Sequence, residues 1–191
     1  MGGGADLESH ENYRSRILFR KRFVPHGGAA HDYVTWAREI NGVTRVYVDP
    51  VTASNGRQTV GVWFLMDDTY ADGIPQAADV AIVAAYIDGK RPAGAKVEVS
   101  APVALPQTIT ISALSPDTAS VRSAVIAELQ ALFRREMHVS TVSEPRSVYR
   151  SKLWEAVSIA AGEDHHQLTL PATDIVMPPG TIATLGAINF V

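Results

Sequence analysis

The stretch that decides the fold is TVGVWFLM, residues 59–66, in which apolar side chains occupy almost every position. A strand that is apolar on both faces lies between two layers of protein. Residues 44–48 form a second strand pattern, and the intervening DPVTASNGRQ holds two dipeptides typical of turns, Asp49-Pro50 and Asn55-Gly56. The pattern predicts a hairpin with a long loop, whose second strand is central, covered by helices on one side and by protein on the other.

Further patterns on either side of the hairpin extend it into a first unit. They predict helices over residues 29–40 and 76–89 and a strand over residues 96–101. With the hairpin, these elements make a first α+β subdomain, residues 29–102. An additional helix pattern over residues 9–22 belongs to an N-terminal helical arm, residues 1–28.

Two prolines, Pro102 and Pro106, separate this unit from the rest of the chain. Proline cannot donate to a strand ladder, so we predict that they interrupt the extended chain at a boundary between subdomains. The second α+β subdomain, residues 103–191, has predicted strands near residues 107–112, 166–170 and 181–188 and helices over residues 115–137 and 151–161. The predicted fold class is therefore α+β, with two small helix-and-antiparallel-sheet subdomains in tandem.

Composition limits the classes of function. The chain has 191 residues and a formal net charge of −3, with 46% hydrophobic and 19% charged residues, which is ordinary globular composition. It has no cysteine, so disulfides, thiolate nucleophiles and Cys-ligated zinc are excluded. The mild acidity argues against a dedicated nucleic-acid binder. We expect neither membrane insertion nor a secretory signal, since no apolar run approaches the ~20 residues that span a bilayer and the start lacks a basic and an apolar region.

Four consecutive residues, Glu163-Asp164-His165-His166, contain side-chain types that bind zinc or iron. Neighbouring residues in an extended strand point to opposite faces, so these side chains do not converge easily on one ion. The favoured interpretation is a solvated connector after a helix end, and a metal site is the less favoured alternative.

Other polar residues allow acid-base or anion-binding interpretations. Asp67, Asp68 and Asp72 follow the central strand and could form a minimal acid-base set, but acidic residues of this kind are also ordinary turn formers. His26 and His31 flank a glycine pair and could clamp an anion at a helix N-terminus, although a turn and a helix start need no ligand. Simple turns and helix starts are favoured at both places.

Signatures of nucleophilic, phosphate-binding, zinc-protease and dinucleotide sites (G-x-S-x-G, G-x-x-x-x-G-K-[ST], H-E-x-x-H and G-x-G-x-x-G) do not occur in the sequence. We therefore predict no catalytic residue, no cofactor and no metal. Two alternatives stay open. One is a small-molecule or peptide-binding α+β module with a cleft between its halves. The other is a metal-assisted hydrolase that uses Asp67, Asp68 or the His165-His166 pair.

Several stretches, taken in order, resemble the C-terminal half of the baseplate J-like proteins of contractile-tailed phages. They are GGADLESHENYRSRILFR, PHGGAAHDYVTWAREINGVTRVYVDP, GVWFLMDD, DGIPQAADVAIVAAYIDGKRP, AKVEVSAPVALPQTITI, SPDTASVRSAVIAELQALFRRE and LWEAVSIAAGEDHHQLTLP. The resemblance covers about residues 2–185. Members of this family usually carry a further N-terminal region, so we expect this chain to be a C-terminal portion.

The resemblance implies a structural role, without catalysis, in the wedge of a tail baseplate that rearranges when the host is engaged. It implies a place in the virion after assembly in the bacterial cytoplasm, with other baseplate and tail proteins, and possibly copies of the chain itself, as partners. Five of the 17 Arg and Lys residues fall within nine positions of the arm, where they could grip phosphate or pair with acids on another subunit. With the end of the long helix they form the predicted interface: Arg14, Arg16, Arg20, Lys21, Arg22, Phe133 and Arg134.

Overall fold

The computed structural model describes residues 10–22, 27–54 and 57–191, which form five helices and eight strands. In chain order these are α1 (His10–Arg22), α2 (Ala30–Arg38), β1 (Arg45–Ser54), β2 (Arg57–Leu65), α3 (Ala77–Asp88), β3 (Val97–Ser100), β4 (Val103–Ser115), α4 (Ala119–Glu136), β5 (Ser147–Val148), α5 (Arg150–Ser158), β6 (His165–Leu170), β7 (Ile175–Val176) and β8 (Thr181–Phe190). The α+β class predicted from the sequence is confirmed. Among the described residues, no helix is both long and apolar enough to cross a bilayer.

The first sheet has the order β1-β2-β3, and its two faces pack against different parts of the chain. Phe64 and Val62 of β2 are fully buried on the face that α2 and α3 cover. On the opposite face, Trp63 and Leu65 pack into the core of the second half. The central, doubly covered strand predicted from TVGVWFLM is therefore confirmed.

The connection between β1 and β2 differs from the prediction. The segment expected to be a long loop is mostly strand, because β1 continues to Ser54 and β2 begins at Arg57. The pairing register shifts between Asp49 and Thr52, which marks a bulge in β1. Pro50 fits there because β1 is an edge strand, in which a missing N–H breaks few ladder bonds.

The second sheet has the order β6-β4-β8, and α4 packs against it. The buried stripe of α4 is the one that its sequence predicts: Val121, Val125, Leu129, Leu132 and Phe133. The two three-stranded sheets are mixed rather than antiparallel as predicted, whereas a small two-stranded sheet, β5-β7, is antiparallel. Strands β2 and β3 are parallel because α3 returns the chain between them. Strands β4 and β8 are also parallel, and the connection between them contains α4, α5 and the strands β5, β6 and β7.

Pro106 does not interrupt the extended chain as predicted, because it lies inside β4, opposite Thr184 of β8. Strand β6 pairs with β4 only between Thr110 and Ser115, so β4 has one partner at Pro106 and tolerates the missing donor. The division after residue 102 falls between β3 and β4, which belong to different sheets.

Candidate assembly site and the seam between the two halves

The two halves of the chain meet along one face of the first sheet, a contact that we call the seam. Tyr47 and Trp63 lie opposite each other on β1 and β2 and pack against the core of the second half. The ring of Tyr47 lies 5.5 Å from that of His138, which follows α4. Aromatic side chains thus fill the place where the alternative function requires a ligand cleft.

One end of the seam is held by Arg45 and Asp67. Arg45 donates from Nε to Asp67 Oδ2 over 2.8 Å and from Nη2 to Asp67 Oδ1 over 2.6 Å. Its remaining nitrogen, Nη1, donates to the carbonyl oxygen of Met137 over 2.7 Å, just beyond α4. Arg134 reaches back from α4 and donates to the carbonyl oxygen of Asp67 over 2.8 Å. These bonds join β1 and the turn after β2 to the C-terminal end of α4.

The environment of Asp67 suits a structural role better than acid catalysis. Burial tends to raise the pKa of this carboxyl, but hydrogen bonds from Arg45 and Thr44, together with the charges of Arg45 and Arg134, lower it below its ordinary value. A general acid at neutral pH needs a raised pKa instead. The side chain of Asp68 is 84% exposed. That of Asp72 accepts a hydrogen bond from the backbone N–H of Ile74 over 3.0 Å, as a turn former does.

The other end of the seam is held by Asp49, which is completely buried. Its Oδ2 accepts hydrogen bonds from the backbone N–H groups of Val142 at 2.9 Å and Ser143 at 3.2 Å. Its Oδ1 accepts from the Ser143 hydroxyl at 2.6 Å. From the sequence alone, Asp49 is expected only as part of a turn. The sequence does contain a signal of this contact. Arg45, Tyr47 and Asp49 alternate along β1 and therefore lie on one of its faces, which places two charged side chains beside an aromatic ring.

The loop that Asp49 holds is itself fixed to the second half. The backbone N–H of Ser140 donates to the Thr181 carbonyl over 2.9 Å, and the Ser140 carbonyl accepts from Gly180 over 2.7 Å. The Ser140 hydroxyl donates to the Met177 carbonyl over 2.9 Å. Asp49 therefore binds a segment anchored at the start of β8, so its bonds tie the first sheet to the second.

A cavity of about 230 Å³ opens beside the end of α4, lined by Glu136, Met137, His138, Pro145, Arg146, Ser147, Tyr149, Lys152 and Met177. It is smaller than the ~300–1,000 Å³ usual for ligand pockets. Burial, with the positive charges of Arg146 and Arg45, lowers the pKa of His138 and favours its neutral form. Every lining residue belongs to the second half, so this cavity is not the predicted cleft between halves.

The segment predicted as a solvated connector contains a buried pair. His166 Nδ1 lies 2.8 Å from Glu163 Oε1, and their side chains are 2% and 6% exposed. The ring of Trp154 lies 4.7 Å from that of His166. His165 is exposed, so the two histidines point to opposite faces as expected for a strand. Within residues 10–22, 27–54 and 57–191, no group of three or more His, Asp or Glu side chains could hold a metal ion.

A carboxylate of the chain occupies the place predicted for a bound anion at the start of α2. Asp32 Oδ2 accepts hydrogen bonds from the backbone N–H groups of Gly28 at 2.8 Å and Ala29 at 3.0 Å. His31 Nε2 lies 3.7 Å from Asp32 Oδ1. The other predicted clamp residue, His26, lies outside the described residues. The helix start is thus satisfied by its own side chain.

Replacing Asp32 with alanine removes this cap and is expected to lower the free energy of unfolding by about 1 kcal/mol. Urea unfolding followed by circular dichroism measures the change. Asp88→Ala, at the exposed C-terminal end of α3, is the matched control and should have a smaller effect. Equal losses in the two variants would contradict the capping role of Asp32.

The residues of the predicted interface belong to two helices, α1 and α4. Arg14 and Lys21 are exposed on α1, whereas the side chains of Arg16, Arg20 and Arg22 lie outside the described part of the structure. Phe133 is only 7% exposed and packs in the core of the second half, so it offers little surface to a partner. Arg134 is exposed and binds the turn after β2.

Two family models match almost the whole described chain. The baseplate J-like central domain matches residues 25–101, and the baseplate J-like protein C-terminal domain matches residues 107–191. The chain therefore belongs to the baseplate J-like family, as its sequence resemblance implied.

Individual relatives agree with this assignment. The chain is 34% identical over 200 residues to Mu-like prophage FluMu protein gp47 of Haemophilus influenzae and 36% identical over 201 residues to Baseplate protein gp47 of Escherichia phage Mu. Both alignments cover 100% of this chain but 54% and 53% of the relatives, so the chain spans about half their length. Protein JayE of Escherichia coli K12 is 34% identical over 192 residues, with 100% of this chain and 69% of that protein covered.

Proposed function

We propose that this chain is a structural component of the tail baseplate of a contractile-tailed phage or prophage, and that it acts by binding other tail proteins rather than by catalysis. The observation that carries the proposal is the alignment of the entire chain with a protein named as a baseplate protein of phage Mu, at 36% identity. Both family domains fall within the aligned region. The candidate acid-base residue Asp67 is bound by Arg45, which supports a structural use of that carboxylate.

The bonds across the seam support a role in transmitting force between the two halves of the chain. Its packed aromatic side chains are flanked by two sets of polar bonds, from Arg45 at one end and Asp49 at the other. Hydrogen bonds to charged groups are stronger than neutral ones, and they have fixed directions. The two halves would then move together, and rearrangement on host attachment would occur at contacts with neighbouring proteins.

The finer assignment is to the wedge of the baseplate, with α1 as one contact surface. Residues 10–22 carry five Arg and Lys against one Glu, whereas the rest of the chain carries twelve Arg and Lys against nineteen Asp and Glu. This separation of charge favours contact between the helix and an acidic protein surface, including that of another copy. A contact between α1 and an acidic protein surface requires neither nucleic acid nor insertion into a membrane. Assembly in the bacterial cytoplasm, followed by residence in the virion, completes the proposal.

Mass spectrometry of gradient-purified tails tests the proposal. The protein should be found at a fixed ratio to the sheath and tube proteins in every fraction that contains tails, and a wash that removes loosely bound proteins should not change that ratio. An abundant cytoplasmic enzyme of the host serves as the control and should vary between fractions. Intact tails that lack the protein, from cells that express it, would contradict the proposal.

A further inference from the structure

The cavity beside the end of α4 has an apolar side. Met137 and Met177, which are 6% and 3% exposed, line it together with Pro145 and Tyr149. The unbranched side chain of methionine adapts to the shape of an incoming group. The volume is about 230 Å³, and an apolar cavity of about 150 Å³ already holds one benzene molecule. The cavity is therefore too small for a drug-sized ligand but large enough for one aromatic or large aliphatic side chain.

The polar side of the same cavity carries two cations, Arg146 and Lys152, and one carboxylate, Glu136. Arg146 donates from Nη2 to Glu144 over 2.7 Å, and among the described residues its Nε and Nη1 have no acceptor. The side chain of Glu144 is 70% exposed, and that of Glu155, which pairs with Lys152 over 3.2 Å, is 62% exposed. Exposed pairs of this kind contribute little. Arg146 thus has donors left for a further carboxylate.

The ring of His138 lies in the cavity wall and experiences its balance of charge. Burial lowers the pKa of His138, and the positive charges of Arg146 and Arg45 lower it further. The charges of Glu144 and Glu136 raise this pKa, each by less than either arginine lowers it. The field at His138 is therefore positive. An entering carboxylate would be stabilised by this field, whereas an amide of the same shape would not.

The cavity is continuous with the seam and with an exposed apolar rim. The carbonyl oxygen of Met137, a lining residue, accepts the hydrogen bond from Arg45 that fixes one end of the seam. On the rim, Tyr149 is 55% exposed. Val176, which is 75% exposed, lies opposite the lining residue Ser147 in the β5-β7 pair. A protein segment can cover this rim while it fills the cavity, whereas a molecule small enough to fit inside leaves the rim exposed.

We propose that this cavity binds one Phe or Leu side chain of a partner protein, from a segment in which an adjoining Asp or Glu brings its carboxylate to Arg146. The apolar side chain contacts the two methionines, and the carboxylate accepts the unused donors of Arg146. A large apolar group in a buried pocket with a polar rim is the usual form of a binding hot spot. That the partner is another tail protein rests on the proposed function. The chemistry of the segment follows from the cavity.

A peptide titration followed by NMR tests the proposal on the full chain, isotope-labelled at its methionine methyl groups. The probe is acetyl-Phe-Glu-amide. Of the four methionines, Met137 and Met177 line the cavity, whereas Met66 packs in the core of the first half and serves as the internal reference. The signals of Met137 and Met177 should shift saturably, and that of Met66 should not. Acetyl-Phe-Gln-amide and acetyl-Ala-Glu-amide are the matched controls, and each should bind at least about fivefold more weakly.

Two further measurements test the role of charge. Arg146→Gln should bring the affinities of the Phe-Glu and Phe-Gln peptides within about twofold of each other. Arg122→Gln, which also removes an arginine that pairs with a surface carboxylate, should leave their difference unchanged. Circular dichroism checks that both variants stay folded. In the unchanged chain, the Phe-Glu peptide should raise the pKa of His138 above its value with the Phe-Gln peptide, because a nearby negative charge favours the imidazolium form.

Equal affinities of the Phe-Glu and Phe-Gln peptides for the unchanged chain would overturn the proposal. So would unshifted signals of Met137 and Met177 at peptide concentrations up to about 10 mM, or a shift of Met66 as large as theirs. These outcomes are separate from those of the proposed function. Tails that contain the protein, together with a chain that does not bind the peptide, remove the cavity proposal alone. Peptide binding by a protein that is absent from tails removes the baseplate role and leaves the binding site.

Discussion

Asp49→Ala is expected to lower the free energy of unfolding by about 3 kcal/mol, because it leaves two backbone N–H groups and a hydroxyl without their acceptor. The two N–H groups belong to Val142 and Ser143, and the hydroxyl is that of Ser143. Asp49 is 0% exposed, so bulk solvent does not reach these donors in the folded chain. Urea unfolding at neutral pH, followed by tryptophan fluorescence and by circular dichroism, measures the loss.

Ser143→Ala is the matched control for Asp49. It removes the bond from the Ser143 hydroxyl and leaves both backbone donors paired, so it should lower the free energy of unfolding by only about 1 kcal/mol. If Asp49→Ala destabilises the chain no more than Ser143→Ala does, the carboxylate does not hold the seam in the way described.

Asp67→Asn is expected to lower the free energy of unfolding by about 2 kcal/mol at pH 7. The side chain keeps its shape but loses the charge that pairs with Arg45, whose side chain is 22% exposed. The control is Asp117→Asn, because Asp117 also accepts two bonds from an arginine, Arg122, but on the surface, where both side chains are more than 40% exposed. Surface pairs contribute little, so the control should change stability clearly less.

The effect of Asp67 depends on pH in a predictable direction. The folded chain holds the pKa of Asp67 below its ordinary value of about 3.9. The pair therefore stabilises the fold above that ordinary value, and the stabilisation is lost as the pH falls through the lowered pKa. Between about pH 5 and pH 2, unmodified chain should lose stability more steeply than Asp67→Asn. Parallel pH profiles of the two proteins would contradict this account of the carboxylate.

The amino-acid sequence alone predicts the structure where burial of apolar side chains decides it. TVGVWFLM predicts a central strand because both of its faces are apolar, and the stripe from Val121 to Phe133 predicts the long helix because its apolar residues repeat at helical spacing. In both cases the residues contact whatever apolar layer is nearest. The family resemblance was likewise readable from ordered stretches of sequence, without any contact being known.

The sequence was insufficient where a polar residue depends on a distant partner. Asp49 and Val142 are 93 residues apart in the chain, and Arg45 and Met137 are 92 apart. No local pattern shows that they meet, so the sequence alone predicts only a turn at Asp49. The sequence alone places His166 and Glu163 in a solvated connector, because both are polar, whereas the structure buries them as a pair.

The basic arm is predicted to be an interface. Exposed Arg14 and Lys21 are compatible with that role, whereas buried Phe133 fits the core of its own chain. The seam gives the baseplate proposal a physical content, because its bonds make the two halves of the chain one braced body.

The most direct test of the structural role is electron microscopy of tails from a phage or prophage in which the gene for this protein is deleted. The account predicts that contractile tails with complete baseplates are absent, and that supplying the unmodified protein from a plasmid restores them. A plasmid carrying a stop codon early in the same gene is the control. Complete, contraction-competent tails from the deletion strain would contradict the account.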